Sequence, residues 1–226
     1  MSSDADNARF APAVMPERRP GKAGSTRANN RAERTQALCT AGLQVFLERG
    51  LAASTVDEIT RAAGVSKGSF YRYFSNKGDL VAAIFAPLEA LFNDAMARCE
   101  RALEQARTPQ QLHGAYTQLA TELATQLLQT PDPVRLYLQE CRGPREGPHA
   151  PIVGLANSIT AAAIRITETA CARQLLRPLP PEITALSVVG ACERILMRYF
   201  DDSAPSLDPL LASSSLISLV VDGIRA

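Results

Sequence analysis

The stretch TVDEITRAAGVSKGSFYRYFSNKGDL, residues 55–80, restricts the folds open to this chain more than any other. Thr55 can cap a helix, and Glu58, three residues on, can close a capping box. Val56, Ile59 and Ala63 follow at helical spacing, so one face can turn inward. Gly64 suits a backbone with φ > 0 and stops that helix. Val65 is a small apolar plug, and Ser66 can cap a second helix over about residues 67–74. A third helix starts near Asn76. Helix, glycine turn and second helix in this order form the helix-turn-helix pattern.

The second helix sorts its residues by side. Phe70 and Phe74 lie one turn apart and share a face suited to packing. Gly68, Ser69, Arg72 and Tyr73 lie opposite, with Tyr71 on the flank and Lys67 at the open N-terminal end. Such a helix fits a DNA major groove, with residues near its N-terminus reaching base edges. Gly68 lets a backbone approach closely. Lys67, Tyr71, Tyr73 and Lys77 suit phosphate contacts, which position without specifying, whereas Ser69 and Arg72 suit base edges. Spacing alone leaves a second reading open. Helix–glycine–helix pairs are common in all-α proteins, where Tyr71 and Tyr73 would pack and Lys67, Arg72 and Lys77 would form a solvated face.

Residues 34–81 resemble the DNA-binding domain of the TetR family of bacterial transcriptional regulators. The resemblance starts at Leu38, Ala41, Val45, Phe46 and Gly50. It continues through Thr55, Ile59, Ala63, Gly64, Val65, Ser66, Gly68, Phe70, Tyr71, Phe74, Lys77 and Leu80. Cys39 stands where a larger aliphatic residue is usual, and Gly78 where an acid is usual; Gly78 weakens the expected start of the third helix. The resemblance implies DNA contacts at Thr55, Ser66, Lys67, Ser69, Tyr71, Tyr73 and Lys77. It also marks Arg72 as a position that varies in such proteins, and so as a candidate for this chain's own sequence preference.

Charge is unevenly distributed. The chain of 226 residues carries a net +1, but residues 1–80 hold 12 Lys+Arg against 8 Asp+Glu, and residues 81–226 hold 12 against 15. A basic N-terminal end and a neutral-to-acidic remainder fit a DNA-facing head. Residues 1–30 are rich in Ala, Ser, Pro, Asn and Arg without an apolar period, which predicts a disordered extension. Arg18, Arg19, Lys22, Arg27 and Arg31 can make it an arm for phosphate or a minor groove; a solvated tail without a role is the alternative. No signal peptide or transit peptide is read there. No stretch is read as reaching the roughly 20 apolar residues of a bilayer span, so no membrane partner and a cytoplasmic location are expected. Five widely spaced cysteines and two distant histidines, His113 and His149, give no expectation of disulfides, a metal site or a cofactor. Arg142 and Arg145 near Cys141 would favour its thiolate and so a redox role; a packing cysteine is the default.

The expected fold is all-α. A disordered extension (1–30) precedes a three-helix helix-turn-helix DNA-binding domain (31–80) and a larger helical effector-binding and dimerisation domain (81–226). In the last, the helix from Asn76 bends at Pro87 and runs toward Leu103. Further helices span about 108–130, 131–140, 152–176, 182–200 and 207–224, with Gly143–Pro151 as a loop. The last two helices are apolar on more than one face and need two partners each. The family resemblance implies that they pair with their copies in a homodimer, whose two recognition helices read a palindromic duplex. It also implies a small-molecule effector pocket in 87–176, with Phe92, Met96, Tyr116, Leu136, Tyr137, Glu140, Ile164 and Glu168 as candidate lining; each can equally be core. With no Trp and few aromatics, an aliphatic or acyl ligand fits better than a large planar one.

No carboxylate pair with a partnering His and no phosphate-cradling glycine loop occurs, and the one G-x-S-x-G string, Gly64 to Gly68, lies between two expected helices rather than on a strand-to-helix turn, so catalysis is not expected. The expectation is an operator-binding regulator acting by repression and released by an effector. Control by a partner protein or by cysteine oxidation is the alternative, as is an architectural DNA-binding protein without a ligand.

Overall fold

The computed structural model describes residues 26–177, 179–201, 203 and 207–224. It is helical: α1 (Thr26–Arg49), α2 (Val56–Ala62), α3 (Lys67–Tyr73), α4 (Lys77–Gln105), α5 (Pro109–Gln129), α6 (Pro131–Glu140), a 3-10 turn (Gly147–His149), α7 (Ala150–Ala172), α8 (Pro181–Tyr199) and α9 (Pro209–Ile224). No strand element forms among the described residues. The chain divides into a short unit, Met1–Arg34, whose residues 26–34 are helical, and a large unit, Thr35–Ala226. Residues 26–30 thus belong to α1 rather than to an extension, and residues 1–25 lie outside the described part. The expected boundary at 80/81 falls inside α4.

Helix starts follow capping chemistry. Thr55 and Glu58 form a reciprocal box, Ser66 accepts from the Ser69 amide, and Asn76 from the Asp79 amide. A second box, Thr108 with Gln111, opens α5. Each box satisfies amides that have no partner inside the helix. Gly64 ends α2 at φ +64°. α7 stops at Ala172 instead of near 176 because Gln174 takes a left-handed φ of 59° and turns Leu175 and Leu176 into the core. α4 runs through Pro87 without ending.

Two apolar cores form in the large unit. One joins the helix-turn-helix to the body: Leu38, Phe46, Leu51, Ile59, Phe70, Leu80, Phe85, Leu136 and Ile152 are buried together. The other lies farther along α4, α5 and α7 around Met96, Leu103, Leu112 and Ile166. Phe92 packs against both. Each fully buried large side chain contributes roughly 1.5–3 kcal/mol. α4 and α7 are the most extensively paired helices. α4 and the stretch Gly147–Ala172 are long and apolar enough to cross a bilayer by length and composition. That corrects the reading that no stretch qualifies; here their apolar sides line the two cores.

Candidate nucleic-acid interface

The geometry of α3 follows from its period. At about 100° per residue, Lys67, Tyr71, Gly68 and Arg72 share one arc, and all four are exposed. Ser69 and Tyr73 come next around the helix and are half-buried. Phe70 and the capping residue Phe74 face inward, with ring centroids 5.6 Å apart. This corrects the expected sorting in two places. Tyr71 is not on the flank but central to the open arc, 52% exposed, its ring edge-on to Phe70 at 5.3 Å. Tyr73 is not on the open side but packs against the first core.

Gly68 has no internal reason to lack a side chain. A Cβ there meets nothing within 4 Å. Gly42 differs, since its Cβ would fall 2.7 Å from Leu80 Cδ2 and the buried Leu80 side chain would have to shift. Gly78 likewise leaves room, with Asn76 Oδ1 at 2.9 Å and the Gly147 carbonyl at 3.7 Å from a Cβ.

The other expected contact residues have partners inside the fold. The Thr55 hydroxyl accepts from the Glu58 amide at 3.2 Å and donates to Glu58 Oε2 at 2.9 Å. The Thr55 hydroxyl and the Thr55 amide, which also donates to Glu58 Oε2 at 2.9 Å, hold the Glu58 carboxyl below its ordinary pKa, with Arg49 and Arg61 helping. The Ser66 hydroxyl accepts from the Ser69 amide at 3.2 Å. Lys67 lies 2.8 Å from Asp57, with both side chains more than half exposed; that pairing raises the Lys67 pKa. Sequence reading missed Asp57, ten residues away across the turn, because no spacing rule links those positions. Lys77 is directed inward. Its ammonium donates to the carbonyls of Leu51 and of Ser54 (2.8 Å for the latter) and reaches Ser54 Oγ at 3.3 Å. Burial pushes its pKa down, against the opposing pull of Glu140 and Glu58.

The candidate effector residues divide between the two cores, with Phe92, Met96 and Tyr116 gathered at the second. Leu136 and Tyr137 are buried in the first core, Met96 in the second, and Tyr116 packs on the second. Ile164 is half-buried and Glu168 exposed. Burial pushes the Tyr116 hydroxyl pKa well above its ordinary value. Tyr137 Oη donates to Glu193 of α8, and Glu140 accepts from the Leu51 amide and meets His149. The last two therefore join elements, an involvement that becomes visible only when contacts far apart in sequence are known.

The thiols argue against the alternative of a redox role and fit the packing default. Burial raises the Cys141 pKa, Glu193 adds to the rise, and Arg142 opposes it. Arg142 lies 3.3 Å from Glu193, so its charge is shared. Cys99 is pushed up to about 12, and Cys39 and Cys171 also lie above their ordinary values. Among the described residues no group of three His, Cys, Asp or Glu could hold a metal ion.

Comparison with known proteins agrees with this geometry. Residues 38–84, from α1 to the first turns of α4, match the family described as bacterial regulatory proteins, tetR family. The repressor DhaR of Mycobacterium sp. (strain GP1) is 42% identical over 74 residues, 33% of this chain and 36% of its own. The chain thus spans only about a third of DhaR. The repressor BepR of Brucella suis biovar 1 is 27% identical over 203 residues, covering 86% of this chain and 93% of its own. The fold of FadR from Bacillus subtilis, solved with stearoyl-CoA, superposes with a TM-score of 0.63 at 19% identity, covering 84% of this chain and 99% of that one. These relatives are named as transcriptional regulators rather than enzymes. The exposed arc of α3 and the capped helix-turn-helix that carries it lie within the stretch that matches the tetR family of bacterial regulatory proteins, and the helical body behind it has the fold of solved transcriptional regulators similar to this chain.

Proposed function

We propose that the chain is a DNA-binding transcriptional regulator that represses by occupying a palindromic operator as a homodimer and leaves it when a small-molecule effector binds. One observation carries the reading: Lys67, Gly68, Tyr71 and Arg72 form an open arc on a helix whose opposite side is locked into the core. Lys67 and Tyr71 contact phosphate, Arg72 reads base edges, and Gly68 admits the backbone to the groove. Ser69 and Tyr73 take part from the margin of the arc. Thr55 and Ser66 act chiefly as caps at the ends that face the duplex. Lys77 is assigned to holding the head together in place of a phosphate contact.

The dimer forms through α8 and α9. Ile183, Leu186, Met197 and Tyr199 on α8, and Leu211 and Leu219 on α9, are large apolar residues exposed in the single chain. Ile183, Leu186 and Met197 fall on one side of α8 at helical spacing, and an exposed apolar stripe of this kind supports a surface covered by a partner. The effector is an apolar, acyl-like molecule entering between α4, α5 and α7 near Phe92, Met96 and Tyr116. The absence of Trp and the aliphatic character of these helices support that class, as does the acyl-CoA bound to the Bacillus FadR. Control by cysteine oxidation is less well supported, given thiols held above their ordinary pKa.

Selection of random duplexes by the purified chain tests the reading, followed by titration of the selected duplex with wild type, Tyr71→Ala and Arg72→Ala. A palindromic consensus, bound more weakly by Tyr71→Ala and read less selectively by Arg72→Ala, is expected. Binding without a consensus, governed by salt alone, would refute it.

A further inference from the structure

Leu51, at the corner between α1 and α2, is gripped on both sides of its backbone by opposite charges. Its amide donates to Glu140 Oε1 at 3.0 Å, and its carbonyl accepts from the Lys77 ammonium. Lys77 opens α4, and Glu140 is the last residue of α6, 89 positions from Leu51. Leu51 has no exposed surface, so neither backbone group can turn to water, and an unpartnered buried amide is costly.

Glu140 is itself held. Its Oε2 lies 3.0 Å from His149 Nε2, and both side chains are mostly buried. A carboxylate has no proton to give, so Nε2 is assigned the hydrogen. The surrounding backbone is shaped for this pair. A Cβ on Gly143 would overlap the His149 ring. Gly78 leaves space for the 3-10 turn that carries His149 to lie over the start of α4. At its other end the same turn of α6 is tied to α8 through Tyr137 and Glu193.

We propose that Glu140, steadied by His149, is a positioning residue for DNA binding: with Lys77 it clamps Leu51 and fixes the angle at which α2 and α3 are presented. Movement of α6 is thereby transmitted directly to the corner of the head, by a route parallel to α4. The positioning role rests on the DNA-binding reading above; the clamp itself does not.

The test uses the full chain and the variants Glu140→Ala, Glu140→Gln, Gly143→Ala and Lys77→Met. Amide hydrogen exchange is followed at Leu51, and affinity for the palindromic duplex selected by wild type is measured across a range of salt. Glu140→Ala is expected to speed Leu51 exchange and weaken duplex binding, each by about tenfold, with the salt slope unchanged. Glu140→Gln keeps a neutral acceptor for the Leu51 amide and should restore most of both. Gly143→Ala displaces His149 and should loosen Leu51 even if Glu140→Ala fails to fold. Lys77→Met should weaken binding without the drop of about one in salt slope that a lost phosphate contact gives. Wild-type exchange at Leu51 in both Glu140→Ala and Gly143→Ala would overturn the clamp. Unchanged or tighter duplex binding by Glu140→Ala, as removing an acid near a polyanion would give, would overturn the positioning role. Should wild type select no duplex, the DNA-binding reading and the positioning role fall together, while Leu51 exchange still decides the clamp.

Discussion

Tyr137 Oη donates to Glu193 Oε1 at 2.9 Å, joining α6 to α8 across 56 residues of sequence. The Glu193 carboxylate is 16% exposed, and its other partner, Arg142, is 77% exposed. Tyr137→Phe leaves a nearly buried carboxylate with only a solvated cation. It should cost about 1–3 kcal/mol in urea denaturation. Arg142→Ala removes only the exposed partner and should cost less than about 1 kcal/mol.

Gly68→Ala separates folding from binding. Nothing stands within 4 Å of the added methyl, and at this position in the first turn of α3 alanine is the better helix former. Thermal stability should hold or rise while affinity for the selected duplex falls. A parallel fall in both would mean that Gly68 serves the fold.

Neighbouring aromatics should give opposite phenotypes. Phe70 is fully buried, so Phe70→Ala should cost about 3–5 kcal/mol and abolish duplex binding through unfolding of the head. Tyr71 is 52% exposed, so Tyr71→Ala should change stability by no more than about 0.5 kcal/mol yet weaken the duplex complex. Circular dichroism melts beside the binding titrations distinguish the two.

The capping box predicts a direction with acid. The Glu58 pKa is lowered in the folded chain by Thr55. Its contribution is therefore present above the ordinary glutamate pKa and is lost as pH falls through the lowered value. Thr55→Ala removes the hydroxyl that accepts from and donates to Glu58, so the variant should lose less stability than wild type across that acid range. Denaturant midpoints from pH 7 downward provide the comparison.

Charge placed on the apolar surface of α8 should part the proposed dimer. Ile183 is 62% and Leu186 49% exposed. The pair of substitutions Ile183→Asp and Leu186→Asp should yield monomers in sedimentation equilibrium and weaken palindrome binding, with the helical spectrum retained.

The helix-turn-helix was legible because its signals are local. Thr55 with Glu58, Gly64 and Ser66 lie within a few residues of the atoms they satisfy, and the structure realises each. Phe70 and Phe74 were legible from period alone. Lys77 was not: its sequence context suggests a surface cation, and only the fold brings the Leu51 and Ser54 carbonyls to it. Tyr137 and Glu140 were singled out only as candidate effector lining, because their partners sit 56 and 89 positions away. The end of α7 was misread because a glutamine, unlike a glycine, gives no warning of a left-handed turn.

Phe92 packs on both cores. A ring shared in this way acts as a party wall: neither compartment can swell without disturbing the other. Heating should therefore melt head and body in one cooperative step rather than in succession, and a molecule lodged beside Phe92 would make itself felt at both ends of the chain.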